Sequence, residues 1–97
     1  ISLNGAREVI QTRVVPVGLV DRTHVHPREV FADPIVDRAA AVIVAHNHPT
    51  EDLMPSDVDV ELTERLERAG HTLGIALLDH VIFNRKGFRS MFHPPDA

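Results

Sequence analysis

Two largely apolar stretches set the main constraint on how this chain folds. Residues 39–45 read AAAVIVA, and residues 74–83 read GIALLDHVIF. A strand with one face in water alternates apolar and polar residues, so the lack of alternation predicts strands that are covered on both faces. Both stretches fall well short of the roughly 20 apolar residues that a membrane-spanning helix needs. The chain is therefore expected to build a sheet around these two strands.

The amino-terminal residues predict a β-hairpin. Residues 1–3 give the end of one strand, and Asn4-Gly5 favours a tight turn because these residue types tolerate a positive φ. Residues 8–17 are rich in β-branched side chains and are expected to form the partner strand. Pro16 has no N–H to donate, so the ladder should stop early.

A first helix is predicted between the hairpin and the strand at 39–45. It begins at Pro27, because proline suits the first helical position, and it runs to about Arg38. Pro34 lies inside the helix and predicts a kink or an early end. The expected apolar stripe consists of Val30, Phe31 and Ile35.

A second helix is predicted after a polar loop that ends at Pro55. Ser56 is a strong N-cap, and the acids Asp57 and Asp59 favour the first turn of a helix. Gly70 is expected to mark the end of the helix. The buried face continues through Leu62, Leu66 and Ala69.

The last part of the chain predicts a turn at residues 84–87 and a short strand at 88–92. The resulting order, ββαβαββ, predicts an α/β fold with a mixed sheet flanked by helices. A length of 97 residues is enough for one core, so one domain spanning 1–97 is expected. Hydrophobic content of 43% with 25% charged residues is typical of a folded globular chain.

Composition excludes several classes of function. The chain has no cysteine, which removes disulfides, thiolate metal sites and cysteine nucleophiles. The net charge is −4 with a single lysine, which argues against a nucleic-acid partner, and Arg85, Lys86 and Arg89 are expected to form a solvated hairpin tip. No signal peptide or membrane span is visible, so a cytoplasmic location without membrane association is expected. The chain starts at Ile1 within a predicted strand, which suggests a fragment truncated at its amino terminus.

The strongest chemical signal is His46-x-His48 followed, after ten residues, by Asp59. Side chains alternate along a strand, so both histidines project to the same side where the strand ends. The first turn of the second helix can bring Asp59 to that strand end. Two imidazoles and one carboxylate form a three-ligand zinc set with a fourth position for water, as in catalytic zinc sites. The alternative is that both histidines are exposed and that Asp57 and Asp59 only favour the helix dipole.

A second His-x-His-Pro stretch tests this interpretation. His24 and His26 are followed by Asp37 at the same ten-residue interval. Pro27, however, starts a helix directly, so Asp37 would lie ~16 Å along the axis from His26. These side chains converge only if Pro34 breaks the helix early. We therefore predict no metal site there, and His26 is expected to begin the helix.

Other motifs do not fit. The literal letters His46-Asn47-His48 spell the name of the HNH nucleases, whose motif residues are spread over a ββα unit instead of standing together. The chain has no His-Glu-x-x-His helix, and the zinc deaminase pattern requires a Cys-x-x-Cys pair.

These residues resemble a known family. His46-x-His48-Pro49, Ser56 and Asp59 match the JAMM (MPN+) metalloprotease signature. The segments VHPREVF (25–31), AAAVIVAHNHP (39–49), PSDVD (55–59), LTERL (62–66) and LLDHVI (77–82) are similar to the RadC-type JAB domain over nearly the whole chain. The resemblance implies a JAB fold, with His46, His48 and Asp59 as zinc ligands and Ser56 stabilising an oxyanion.

The chain also departs from the family pattern. JAMM enzymes use a glutamate upstream of His-x-His as general base, which in RadC-type chains falls a few residues before the position of Leu3. The resemblance therefore implies that this base is absent here, because Glu8 and Glu29 do not match its position. The resemblance also leads us to expect that the helix-hairpin-helix region of longer RadC-type proteins is not part of this chain. The loop TEDLMP (50–55) lacks the family's usual glycine and places Glu51 and Asp52 at the mouth of the site.

Three functions remain open at this point. The first is a zinc-dependent hydrolase of peptide or isopeptide bonds, impaired by the absent base, with a protein or peptide as substrate. The second is a non-catalytic protein-binding JAB module in which zinc is structural or absent. The third is a DNA-repair-associated accessory domain, which the acidic composition does not support. A truncated first strand would leave an edge that favours homodimers.

Overall fold

The computed structural model describes residues 1–14, 25–48 and 52–92. The predicted order ββαβαββ is confirmed. Within these ranges no helix combines the length and the apolar character needed to cross a membrane. The elements are β1 (Ser2–Leu3), β2 (Val9–Gln11), α1 (Pro27–Val36), β3 (Ala41–Asn47), α2 (Asp57–Leu73), β4 (Ala76–Asn84) and β5 (Gly87–Ser90).

The five strands form one mixed sheet in the order β2-β1-β3-β4-β5. The central pair, β3 and β4, is parallel, and the other pairs are antiparallel. Helix α2 is the crossover between the two parallel strands, as parallel neighbours require. The mixed α/β fold predicted from the sequence is confirmed.

Strand β3 differs from its prediction in position and in coverage. It runs from Ala41 to Asn47 instead of 39–45, because pairing with β4 continues to the end of both strands, where Asn47 lies beside Phe83. Ala41 and Val42 are buried, but Ala45 and Asn47 are exposed. Coverage on both faces therefore holds only for the first half of the strand, and His46 belongs to the strand itself.

The first hairpin is present, but its turn is longer than Asn4-Gly5 suggests. The side-chain oxygen of Asn4 accepts hydrogen bonds from the N–H groups of Ala6 and Glu8 at 2.9 and 3.0 Å. The positive φ falls on Arg7 (64°), so Gly5 is not the residue that needs it. Strand β2 is also shorter than predicted, ending at Gln11, and Pro16 lies outside the described residues.

Helix α1 continues through Pro34 to Val36, so the predicted early end is wrong. Phe31 and Pro34 are buried, whereas Ile35 is 52% exposed. Each residue advances a helix by about 100°, so a stripe centred between Phe31 and Pro34 turns Ile35 toward solvent. Pro34 therefore takes the buried place that the apolar pattern gave to Ile35.

Helix α2 begins at the predicted cap, Ser56, but passes Gly70 and ends at Gly74, whose φ is 74°. The N–H of Ile75 donates to the carbonyl of Gly70 at 2.8 Å, and the N–H of Gly74 donates to that of His71 at 3.3 Å. This is the Schellman pattern, which requires a left-handed residue at the position of Gly74. The Gly70 prediction was wrong because Gly70 serves close packing instead of chain reversal.

The core lies between the helices and the sheet. A cluster of seven buried apolar residues holds these layers together: Val25, Phe31, Val42, Leu62, Leu66, Ile75 and Leu77. Phe31 of α1 and Leu66 of α2 are almost fully buried, at 1% and 0% exposure. This core packs α2 against β4, and the polar residues of the predicted site lie near the first turns of α2.

Candidate metal centre

The end of β3 and the first turn of α2 meet at the carboxyl edge of the parallel strands. His46 lies within β3, and His48 comes two residues later, directly after the last residue of the strand. Side chains two residues apart in an extended chain point to the same side. Asp59 is the third residue of α2. Crevices at the carboxyl ends of parallel strands are common binding sites in α/β folds.

The three side chains are in direct contact. His46 Nε2 lies 3.1 Å from Asp59 Oδ1, and His48 Nε2 lies 3.0 Å from Asp59 Oδ2. Asp59 is fully buried, and His48 is 7% exposed. The alternative of exposed histidines and a solvated helix-end acid is therefore wrong.

The geometry of this group suits a small divalent ion. One possible ligand atom from each of His46, His48 and Asp59 can be chosen so that all lie within 4.8 Å of one another. Ligand atoms at 2.0–2.2 Å from a tetrahedral zinc ion are about 3.3 Å apart. The distances from the Asp59 carboxylate to His46 Nε2 and His48 Nε2, 3.1 and 3.0 Å, are close to that value. Imidazole nitrogens with one carboxylate are also a donor set that zinc accepts.

The N-terminal cap of α2 positions the Asp59 carboxylate. The Ser56 hydroxyl accepts a hydrogen bond from the Asp59 N–H at 3.1 Å, and the Ser56 N–H donates to Asp59 Oδ2 at 2.8 Å. This reciprocal pair is a capping box with aspartate in the place of the usual glutamate. Ser56 is thus the helix cap that the sequence predicted, and it lies beside the candidate ligands.

His48 is held from two further sides. Its backbone N–H donates to the carbonyl of Phe83 at 2.8 Å, which extends the pairing of β3 with β4. Its Nδ1 lies 3.2 Å from the carbonyl of Asp52. A proton on Nδ1 would satisfy that carbonyl and leave Nε2 with a free lone pair facing Asp59, which is how outer-shell groups commonly orient a histidine ligand.

His46 is supported by two residues that the sequence analysis missed, His80 and Thr63. His46 Nδ1 lies 2.7 Å from Nε2 of His80, which is fully buried. His80 Nδ1 lies 2.5 Å from the Thr63 hydroxyl, which donates to the carbonyl of Asp59 at 2.8 Å. A histidine in the middle of a buried strand, within LLDHVI, was the signal available in the sequence.

The second His-x-His stretch is arranged differently. His26 caps α1, with Nδ1 accepting from the N–H of Arg28 at 3.1 Å, so its predicted place at the helix start is confirmed. Asp37 lies at the opposite end of α1 and accepts a hydrogen bond from Arg13 at 2.7 Å, which raises the pKa of Arg13. His24 lies outside the described residues. Among the described residues, only His46, His48 and Asp59 form a group of three potential metal ligands close enough to share an ion.

The two upstream glutamates have other partners. Glu8 lies in the first hairpin and accepts a hydrogen bond from the Asn4 side chain at 3.2 Å. Glu29 accepts from the backbone N–H of His26 at 3.4 Å, closing the cap of α1.

Of the two acids expected at the mouth of the site, Glu51 lies outside the described residues. Asp52 is exposed, and its carboxylate accepts from the N–H of Met54 at 2.9 Å.

An apolar cavity of about 490 Å³ borders the candidate centre. Its wall includes His46, Asn47 and Phe83 at the sheet edge, and Val44 deeper along β3. A second, more open cavity of about 570 Å³ lies at the far end of α2, around Gly70 and Gly74, away from the predicted site residues. Of the three residues of the candidate centre, only His46 lines the first cavity.

Comparison with known proteins gives a consistent result. A family model described as RadC-like JAB domain matches residues 1–94. A UPF0758 protein of Methanospirillum hungatei is 55% identical over 84 residues, which cover 87% of this chain and 37% of that protein. UPF0758 proteins of Moorella thermoacetica and Thermotoga maritima are 48% and 47% identical over 94% and 93% of this chain. The chain spans 37–40% of the length of these relatives.

Proposed function

This chain belongs to the RadC-like JAB domain family, and from that premise we propose that it is a zinc-dependent hydrolase domain acting on peptide or isopeptide bonds. The observation that carries the proposal is the convergence of His46, His48 and Asp59 within 4.8 Å at the carboxyl edge of the parallel strands. A set of three ligands leaves one position open, as catalytic zinc sites do.

Each residue of the group has a distinct task in this proposal. His46, His48 and Asp59 would hold the ion, which supplies Lewis-acid polarisation of a carbonyl and a source of hydroxide near neutral pH. The Ser56 hydroxyl accepts from the Asp59 N–H, so its own proton is available to donate to an oxyanion. The cavity beside His46 has an apolar wall that suits a hydrophobic side chain of a protein or peptide substrate.

The sheet register bears on where a general base could enter. Ser2 lies opposite Val42, and Ile1 exchanges backbone hydrogen bonds with Ile43 at 2.9 and 3.0 Å. Because β1 is antiparallel to β3, a segment preceding Ile1 in the same register would run toward His46. The upstream glutamate of the JAMM pattern would approach the site along that path.

The test is a comparison of this chain with a chimaera. In the chimaera, the residues before Ile1 come from the corresponding region of the Methanospirillum hungatei relative. We expect both proteins to bind zinc, and turnover of fluorogenic peptides and of a lysine-isopeptide substrate to be much faster in the chimaera. His48→Ala in the chimaera is the matched control and should abolish turnover.

Two results would contradict the proposal. Turnover that persists in the His48→Ala chimaera would mean that hydrolysis does not use this site. Zinc binding without turnover in either protein would instead favour the protein-binding module, with the ion in a structural role.

A further inference from the structure

We propose that Thr63 and His80 are positioning residues that determine which ring nitrogen of His46 faces the candidate metal centre. The inference rests on the proposed zinc site and adds two residues to it. The chain of contacts runs from His46 through His80 and Thr63 to the backbone carbonyl of Asp59, so it joins one proposed ligand to another.

The path of contacts lies inside the protein. His80 and Thr63 are 0% and 5% exposed, so bulk water does not compete for their hydrogen bonds. Val44 lies beside His80 and His46 beside Ile82 in the parallel ladder, which makes His46 and His80 diagonal neighbours on adjacent strands. Thr63 reaches His80 from the first turns of α2, one helical turn after Asp59. His80 and Thr63 are thus both held in place by regular secondary structure.

Counting protons gives the direction of each hydrogen bond. The Thr63 hydroxyl has one proton, and it donates to the Asp59 carbonyl at 2.8 Å. The Thr63 oxygen must then accept from His80, so the proton of a neutral His80 is on Nδ1. His80 Nε2 is therefore the acceptor for His46, whose proton must be on Nδ1. His46 Nε2 is left with its lone pair toward Asp59, which is the arrangement that a metal ligand needs.

The reverse order is less favourable for the described geometry. If Thr63 donated to His80, its oxygen would face the Asp59 carbonyl at 2.8 Å without a proton between them. The sulfur of Met91 lies 3.5 Å from the Thr63 oxygen and is the weaker acceptor of the two. The Asp59 carbonyl thus sets the direction of the hydrogen bonds that join Thr63, His80 and His46.

The test measures zinc affinity by chelator competition in matched variants. Thr63→Val keeps the shape of the side chain but removes the hydroxyl, so His80 Nδ1 loses its acceptor. We expect zinc binding to weaken roughly 10–100-fold, as for the loss of other outer-shell partners, and Thr63→Ser to restore it. His80→Gln offers both an acceptor and a donor and should retain more affinity than His80→Met.

A purely structural role for Thr63 and His80 would lower the stability of the zinc-free and zinc-bound proteins alike and leave the zinc affinity unchanged.

A second measurement is independent of these variants. Ring ¹⁵N shifts of the zinc-bound wild-type protein should identify His80 as the tautomer with its proton on Nδ1. Equal zinc affinity in wild type and Thr63→Val, or a His80 proton on Nε2, would overturn this inference but leave the proposed zinc site standing. Absence of zinc from the wild-type protein would overturn it together with the proposed function.

Discussion

Asp59 joins the helix cap and the candidate centre in one side chain. Its N–H and one carboxylate oxygen bond to Ser56, while its two carboxylate oxygens contact His48 and His46. A carboxylate at the first turn of a helix is stabilised by the free N–H groups and the helix dipole. The residues that start α2 therefore also fix the position of the proposed ligand.

Replacing Ser56 should separate its two proposed roles. Ser56→Ala removes the acceptor for the Asp59 N–H, and we expect it to lower the free energy of unfolding by about 1 kcal/mol. Ser56→Thr keeps a capping oxygen and should lose only a fraction of that. Urea denaturation of both variants checks this, and equal stability of Ser56→Ala and wild type would contradict the capping role. In the chimaera, a fall in turnover of Ser56→Ala at temperatures where it is fully folded would support the oxyanion role.

For individual side chains, the sequence predicted the contacts that depend on spacing along the chain and missed those that depend on the pairing of strands. The group of His46, His48 and Asp59 followed from a strand end and a capped helix start, although their role as ligands stays a prediction. His80 and Thr63 could not be assigned, because their contact with His46 depends on the pairing of β3 with β4.

At the element scale, the boundaries of the helices depend on packing that local sequence does not reveal. Gly70 and Gly74 both resemble helix ends, but only Gly74 adopts the left-handed conformation. Gly70 stays helical because the chain folds back against it: a Cβ there would lie 2.3 Å from the carbonyl oxygen of Ile75 and 3.2 Å from the Phe31 ring. Strand and helix order was predictable from periodicity, whereas the choice between the two glycines was not.

Gly70→Ala should therefore destabilise the domain, although alanine favours a helix by up to about 1 kcal/mol. The added methyl group would overlap backbone atoms, and overpacking of this kind costs about 1–3 kcal/mol. Arg68→Ala, on the exposed side of the same helix, is the control and should change stability by less than about 0.5 kcal/mol. An increase in the unfolding midpoint of Gly70→Ala would contradict the close contact with Ile75.

The buried face of α1 gives a second test at this scale. Phe31 is 1% exposed and Ile35 is 52% exposed, although the apolar pattern placed both in the core. We expect Phe31→Ala to cost about 3–5 kcal/mol and Ile35→Ala to cost less than about 1 kcal/mol. Denaturant titration of the two variants measures the difference. Similar losses would mean that Ile35 contributes to the core.

For the molecule as a whole, folding of the sheet and α2 places His46, His48 and Asp59 close together, an arrangement that the unfolded chain does not hold. An ion that binds only the folded form stabilises it by RT ln(1 + [L]/Kd), which is about 2.7 kcal/mol at 100 times Kd. We therefore expect the thermal midpoint of the wild-type domain to rise with zinc concentration and to fall again when a chelator is added. A midpoint that does not respond to zinc would contradict binding by the folded state.

The most direct test of the proposed centre is a zinc titration by calorimetry of the wild-type chain, His48→Ala and His71→Ala. His71 is an exposed residue in the last turn of α2 and serves as the control. We predict one zinc ion per wild-type and His71→Ala chain, and a loss of affinity in His48→Ala that exceeds the roughly 10–100-fold effect of outer-shell changes. Absence of binding in the wild-type protein, or equal affinity in all three proteins, would contradict a zinc site at His46, His48 and Asp59.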